Sequence, residues 1–182
     1  YHHLCDMFLE MIKTMSISPE EMNKRFVITN LEVVKEFEKK GKSTILLASH
    51  YASWEWLLSL NEKTSFKGIG VYKKITNKYF DKLIRDIRSK YKAELVETKR
   101  AIPLMAENQE KGILCMYGLA SDQSPKLNRA FHWDKFMGVE VCIKKLKVKC
   151  LSQLLWAGIE SEAICWNIRL SNSNAWWVIL VK

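Results

Sequence analysis

The chain lacks any window approaching the roughly eighteen uninterrupted apolar residues of a membrane-spanning helix, so its 182 residues hold no such segment. Paired cysteines are missing as well. Cys5, Cys115, Cys142, Cys150 and Cys165 are odd in number and scattered, with no C-x-x-C spacing. That pattern supports neither a zinc site nor a disulfide framework, and it fits a reducing, cytosol-facing environment. Acid is in short supply, with 20 Asp+Glu against 29 Lys+Arg and a net charge of +9. Such a balance favours acidic partners: nucleic acid, anionic lipid surfaces, phosphorylated substrates or an acidic carrier protein. The lysines are dispersed and no helix-turn-helix, RNP or zinc signature is present, so nucleic acid is the weakest of these. Repeats and low-complexity linkers are absent, and one domain is the economical reading. There is no initiator methionine at Tyr1 and nothing that resembles a signal peptide, which leads us to expect a natural N-terminus, and with it a membrane anchor, upstream of residue 1.

With 48% hydrophobic and 27% charged residues the chain reads as globular. Leu4, Met7, Phe8, Met11, Ile12 and Met15 recur at three- and four-residue steps and predict a helix with a core-facing stripe. Ser18-Pro19-Glu20-Glu21 reads as a capping box with proline at the first helical position. Leu31, Val34 and Phe37 continue a helical pattern up to Gly41. Buried strands are expected at Thr44–Ser49, Ile69–Tyr72, Ala93–Glu97 and Ile113–Tyr117. Between them fall a helix starting just after His50, a helix N-capped by Asn77 with Phe80, Leu83, Ile84, Ile87 and Tyr91 on one face, and a helix over Ile102–Gln109. Strands alternating with helices predict an α/β fold, a largely parallel sheet flanked by helices.

The stretch His50-Tyr51-Ala52-Ser53-Trp54-Glu55 stands where the strand at Thr44–Ser49 gives way to a helix. Imidazole is suited to taking a proton from a hydroxyl near neutral pH, and a nearby carboxylate can fix its tautomer and stabilise the imidazolium. Open α/β sheets hold their ligands at the carboxyl edge of the strands, which is where this pair falls. Three further features follow in order. Arg88 lies in Ile87-Arg88-Ser89, Asp122 and Gln123 open Asp122-Gln123-Ser124-Pro125, and His132, Trp133, Phe136 and Gly138 form an aromatic-dotted segment. Taken singly, each has a plain explanation as a solvated helix arginine, a turn former or a partly buried aromatic.

Taken together, these motifs resemble the late acyltransferases of lipid A biosynthesis, the lauroyl/myristoyl transferases within the lysophospholipid acyltransferase superfamily. The H-x4-D/E motif is matched by His50 and Glu55, with the aromatic of Ser53-Trp54-Glu55-Trp56. Val71-Tyr72-Lys73, Asn77–Asp81 and Ile87-Arg88-Ser89 follow the family's order, as do the D-Q-S/T-P loop at Asp122–Pro125 and the H-W-x-x-F-x-G segment. The resemblance covers about residues 1–141 and implies a glycerolipid acyltransferase-like fold, incomplete at both ends.

It further implies acyl transfer from a thioester to a hydroxyl, with His50 as general base assisted by Glu55. Arg88, Asp122 and Gln123 would bind substrate, Arg88 holding a phosphate or developing charge and Asp122 anchoring that arginine or a turn. No metal, nucleotide or other cofactor is implied. The donor would be an acyl-acyl carrier protein and the acceptor a phosphorylated, Kdo-bearing lipid A precursor. The place would be the cytoplasmic face of the bacterial inner membrane. A non-catalytic relative that only binds the membrane surface or the carrier protein is the alternative. Cys115, in an expected core strand, is read as packing. Beyond Val141 the chain departs from the family, and four of its seven tryptophans (Trp156, Trp166, Trp176, Trp177) lie there. The expected organisation is therefore an acyltransferase domain at 1–141 and an atypical tail at 142–182. A frameshifted or truncated reading of the parent gene would account for the tail, with a membrane-interface tryptophan patch as the other reading.

Overall fold

The computed structural model describes residues 2–29, 31–48, 50, 54–120, 133–136, 139–142, 163–170 and 176–181. In chain order these form α1 (His2–Ser16), α2 (Pro19–Arg25), β1 (Phe26–Ile28), α3 (Leu31–Lys39), β2 (Thr44–Ala48) and a 3-10 helix (Trp54–Lys63). Then come β3 (Lys67–Tyr72), α4 (Lys78–Ser89), β4 (Glu94–Glu97), α5 (Ala101–Glu110) and β5 (Cys115–Ala120). The remaining strands are β6 (Trp133–Phe136), β7 (Val139–Cys142), β8 (Ala163–Leu170) and β9 (Trp176–Val181). The main sheet has the order β1-β8-β9-β2-β5-β3-β4, and β6 and β7 form a separate hairpin. Strands β2, β5, β3 and β4 are parallel, so the expected α/β core is present. Strands β9, β8 and β1 extend it in antiparallel fashion.

The parallel core follows from near-continuous apolar runs, which suit strands covered on both faces. Successive residues of β2 point to opposite sides: Ile45 joins a cluster with Ile69, Val96, Tyr117 and Leu119, while Leu46 joins one with Phe37, Trp56, Leu60 and Met116. Helix starts match their caps. Ser18 Oγ accepts from the Glu21 amide at 3.2 Å, and Asn77 Oδ1 accepts from the amides of Tyr79 and Phe80 at 3.0 and 3.2 Å.

Helix α1 departs from the sequence reading. Among its described side chains Met11 and Thr14 are buried, whereas Phe8, Ile12 and Met15 of the expected core stripe are 43%, 55% and 53% exposed. The helix is turned so that the polar Thr14 faces inward. Its hydroxyl donates to the Glu10 carbonyl at 2.8 Å and accepts the Trp56 indole N–H at 3.0 Å, so both roles of the hydroxyl are filled. Met11 packs on Ile84 and Ile87 of α4. At the far end of α1, Lys90 Nζ donates to the carbonyls of Thr14, Met15 and Ile17 at 2.7, 3.3 and 2.8 Å, which satisfies acceptors left open where the helix stops.

The helix expected after His50 is present as a 3-10 helix of ten residues, longer than the three or four common for that form. It lies close on β3. A Cβ at Gly68 would overlap the Asn61 side-chain amide, which fills the space that glycine leaves there.

Candidate active site

Three strands of the parallel core end side by side, β2 at Ala48, β3 at Tyr72 and β5 at Ala120. The loop after β2 carries His50, and the 3-10 helix that follows begins with Trp54 and Glu55. Arg88 reaches the same place from the last turn of α4, 33 residues further along. Ile84, one turn before it, and Ile87 beside it pack with Met11 of α1 and so fix how α4 is turned.

Glu55 is buried at 4% exposure, a costly position for a carboxylate unless it is paired. Arg88 pairs with it in a fork: Nε donates to Oε2 at 3.0 Å and Nη2 to Oε1 at 2.7 Å. Bidentate guanidinium–carboxylate contacts are the stronger kind of charge-assisted hydrogen bond and fix orientation as well as distance. The Arg88 guanidinium also lies over the Trp54 indole, 5.0 Å from its centroid. Such a cation–π contact contributes on the order of 0.5–2 kcal/mol. Trp54 also meets His50, the two rings 4.9 Å apart and inclined at 72°. His50 and Glu55, joined by sequence reading alone, thus share one site with Arg88.

A cavity of about 90 Å³ opens beside this group. Small and apolar residues at the strand ends, Ala48, Val71, Gly118 and Ala120, line it together with Trp54 and Arg88. Arg88 is the charged residue of that lining among the described residues. The space is well below the roughly 300–1,000 Å³ of a pocket that encloses a whole drug-sized ligand, and suits a short stretch of aliphatic chain. Cys115 is fully buried in β5, and burial pushes its thiol up from the usual range, so it is placed for packing and not as a nucleophile.

Residues 1–140 match the family model described as bacterial lipid A biosynthesis acyltransferase. The chain belongs to this family. A search of curated proteins finds no match. As a member of the lipid A acyltransferases the chain is an O-acyltransferase that moves an acyl group from a donor to a lipid acceptor. Asp122 and Gln123, expected to bind substrate, lie outside the described residues, as do His132 and Gly138. Trp133 stands half-exposed at the start of β6. Among the described residues of this acyltransferase no cluster of His, Cys, Asp and Glu could hold a metal ion. Nor is any helix among them long and apolar enough to cross a membrane.

Two features of the site were not legible as such in the sequence. The motifs point Arg88 at substrate or at Asp122, and its described partner is Glu55. Trp54 enters the motif only as an aromatic, yet it touches both His50 and Arg88. The four-residue step from His50 to Trp54 is the signal that the sequence offers.

Proposed function

We propose that this acyltransferase moves a fatty acyl chain from acyl-acyl carrier protein to a hydroxyl of a phosphorylated lipid A precursor, with His50 as general base. The observation that carries the reading is the joint placement of His50, Glu55 and Arg88 beside an apolar cavity at the carboxyl ends of β2, β3 and β5. His50 takes the proton of the acceptor hydroxyl as its oxygen attacks the thioester carbonyl carbon. The tetrahedral intermediate then collapses, the carbon–sulfur bond breaks, and the departing thiolate receives the proton from the imidazolium. Glu55 supplies negative charge near the imidazolium, and each of its oxygens keeps a lone pair beyond the one given to Arg88. Nη1 of Arg88 is outside the fork with Glu55 and, in this reading, holds the developing oxyanion or an acceptor phosphate. Asp122 and Gln123 belong to the substrate-binding set in this reading. The cavity takes the part of the acyl chain nearest the thioester.

The same reading sets the enzyme on the cytoplasmic face of the bacterial inner membrane. The apolar arc of Phe8, Leu9, Ile12 and Met15, exposed on α1, supports it, as does Tyr79, 89% exposed between Lys78 and the nearby Lys82. The net charge of +9 is consistent with both an acidic carrier and an anionic surface.

The test is transfer of a radiolabelled acyl group from acyl carrier protein to the Kdo-bearing tetra-acyl precursor in detergent, with His50→Ala alongside. The wild-type chain transfers the label, and the variant loses about 10²–10⁴-fold in rate. Equal rates would remove His50 from the mechanism, and no transfer by folded wild-type protein would leave the chain a binding relative.

A further inference from the structure

We propose that Trp54 is a positioning residue, whose indole ring sets the His50 imidazole and the Arg88 guanidinium at fixed places relative to each other. The proposal rests on the acyl-transfer reading for its kinetic consequence but on geometry for its substance. His50 and Arg88 come from elements 38 residues apart in the chain, a loop after β2 and the last turn of α4. Glu55 ties Arg88 to the 3-10 helix through the fork. Trp54, next to Glu55, carries the guanidinium at 5.0 Å on its ring and the imidazole at 4.9 Å and 72°. One rigid aromatic therefore touches the proposed base and the proposed charge-binding group together.

Its chemistry fits the task. The face of an indole is negative and attracts a guanidinium, and it is the best of the three aromatic faces for this purpose. The perpendicular imidazole contact is the edge-to-face arrangement that aromatic pairs prefer. The side chain has only two rotatable bonds, so it holds its neighbours with little freedom of its own. Small errors in placing a base relative to its reacting atoms cost large factors in rate, which makes such a wall consequential. The indole nitrogen is buried and unpartnered among the described residues, so none of these sets the plane of the ring through a hydrogen bond.

The experiment reads the free enzyme first. In nitrogen-15 spectra, the Arg88 Nε–H held by Glu55 exchanges slowly with water, and the His50 ring resonances report its place over Trp54. In Trp54→Leu the Arg88 Nε–H exchange quickens at least fivefold and the His50 ring signals move, while Trp54→Phe retains most of both. Fluorinated tryptophans introduced at position 54 keep the shape and drain the ring face of negative charge, so exchange at Arg88 quickens stepwise with fluorine count. Exchange and ring signals unmoved by fluorination would overturn the proposal, even where Trp54→Leu fails to fold. In the transfer assay, Trp54→Leu lowers kcat at least tenfold with KM within about twofold, and Trp54→Phe restores it to within threefold. Spectral changes without measurable transfer by the wild-type chain would count against the acyl-transfer reading and leave the positioning role standing.

Discussion

At the scale of single residues the buried charge is concentrated in Glu55 and Arg88. The carboxylate is more enclosed than the guanidinium, with side-chain exposures of 6% and 16%. Removing the arginine leaves a buried charge without its partner, whereas removing the carboxylate's charge leaves a cation that can still reach water. Arg88→Met is therefore expected to cost about 3–5 kcal/mol in denaturant unfolding, and Glu55→Gln distinctly less. Equal losses would show that burial is not what separates the two. Tyr91 makes a second point at this scale. Its hydroxyl is buried and unpartnered among the described residues, and burial pushes its pKa up to about 12. Because the folded value lies above the unfolded one near 10, the unfolded chain releases this proton first as pH rises. The stabilising contribution is whole below pH 10 and is lost between about 10 and 12. Tyr91→Phe gives up no hydrogen bond, so it should match or exceed the wild type in stability and show a shallower alkaline decline, as followed by circular dichroism.

At the scale of elements, helices and strands are held by a few side chains at their ends and crossings. Lys90 closes the end of α1 with three carbonyl contacts and joins that end to the last turn of α4. Its replacement by methionine keeps the stem and removes the donors, at an expected cost of about 1–2 kcal/mol to be read from thermal or denaturant melts. The 3-10 helix lies over β3 at Gly68, where the Asn61 side-chain amide fills the space of a Cβ. Gly68→Ala must turn that amide aside, for about 1 kcal/mol in denaturant melts, and because the helix begins with Trp54 and Glu55 the Arg88 signals report whether it moves as well. A stable Gly68→Ala protein with an unchanged Arg88 spectrum would show that the clamp does not reach the site.

At the scale of the whole molecule, net charge and exposed apolar surface work together. The chain carries +9, and α1 leaves Phe8, Leu9, Ile12 and Met15 uncovered. Replacing Leu9 and Ile12 by serine removes apolar area that the fold itself does not bury. Stability is expected to change by less than about 0.5 kcal/mol, while flotation with anionic lipid vesicles falls severalfold. Vesicle binding that is unaffected by these changes, yet lost in high salt, would assign the association to charge alone.

The sequence by itself determined the alternation of strands and helices, the parallel core of β2, β5, β3 and β4, the caps at Ser18 and Asn77, and the membership of the motif residues in one family. These are local matters, fixed by periodicity, by apolar runs and by side chains that bond their own neighbours. It also named His50, Glu55 and Arg88. The tertiary structure decided their partners. Glu55 and Arg88 are 33 residues apart, and only the packing of α4 on α1 brings the guanidinium onto the carboxylate and the Trp54 ring. The inward face of α1 was settled in the same way. Its apolar residues span a wide arc, and the bond from the Trp56 indole to Thr14 selects which side of that arc is buried. Periodicity states that a helix has an apolar side, but long-range contacts choose how much of that side the core receives.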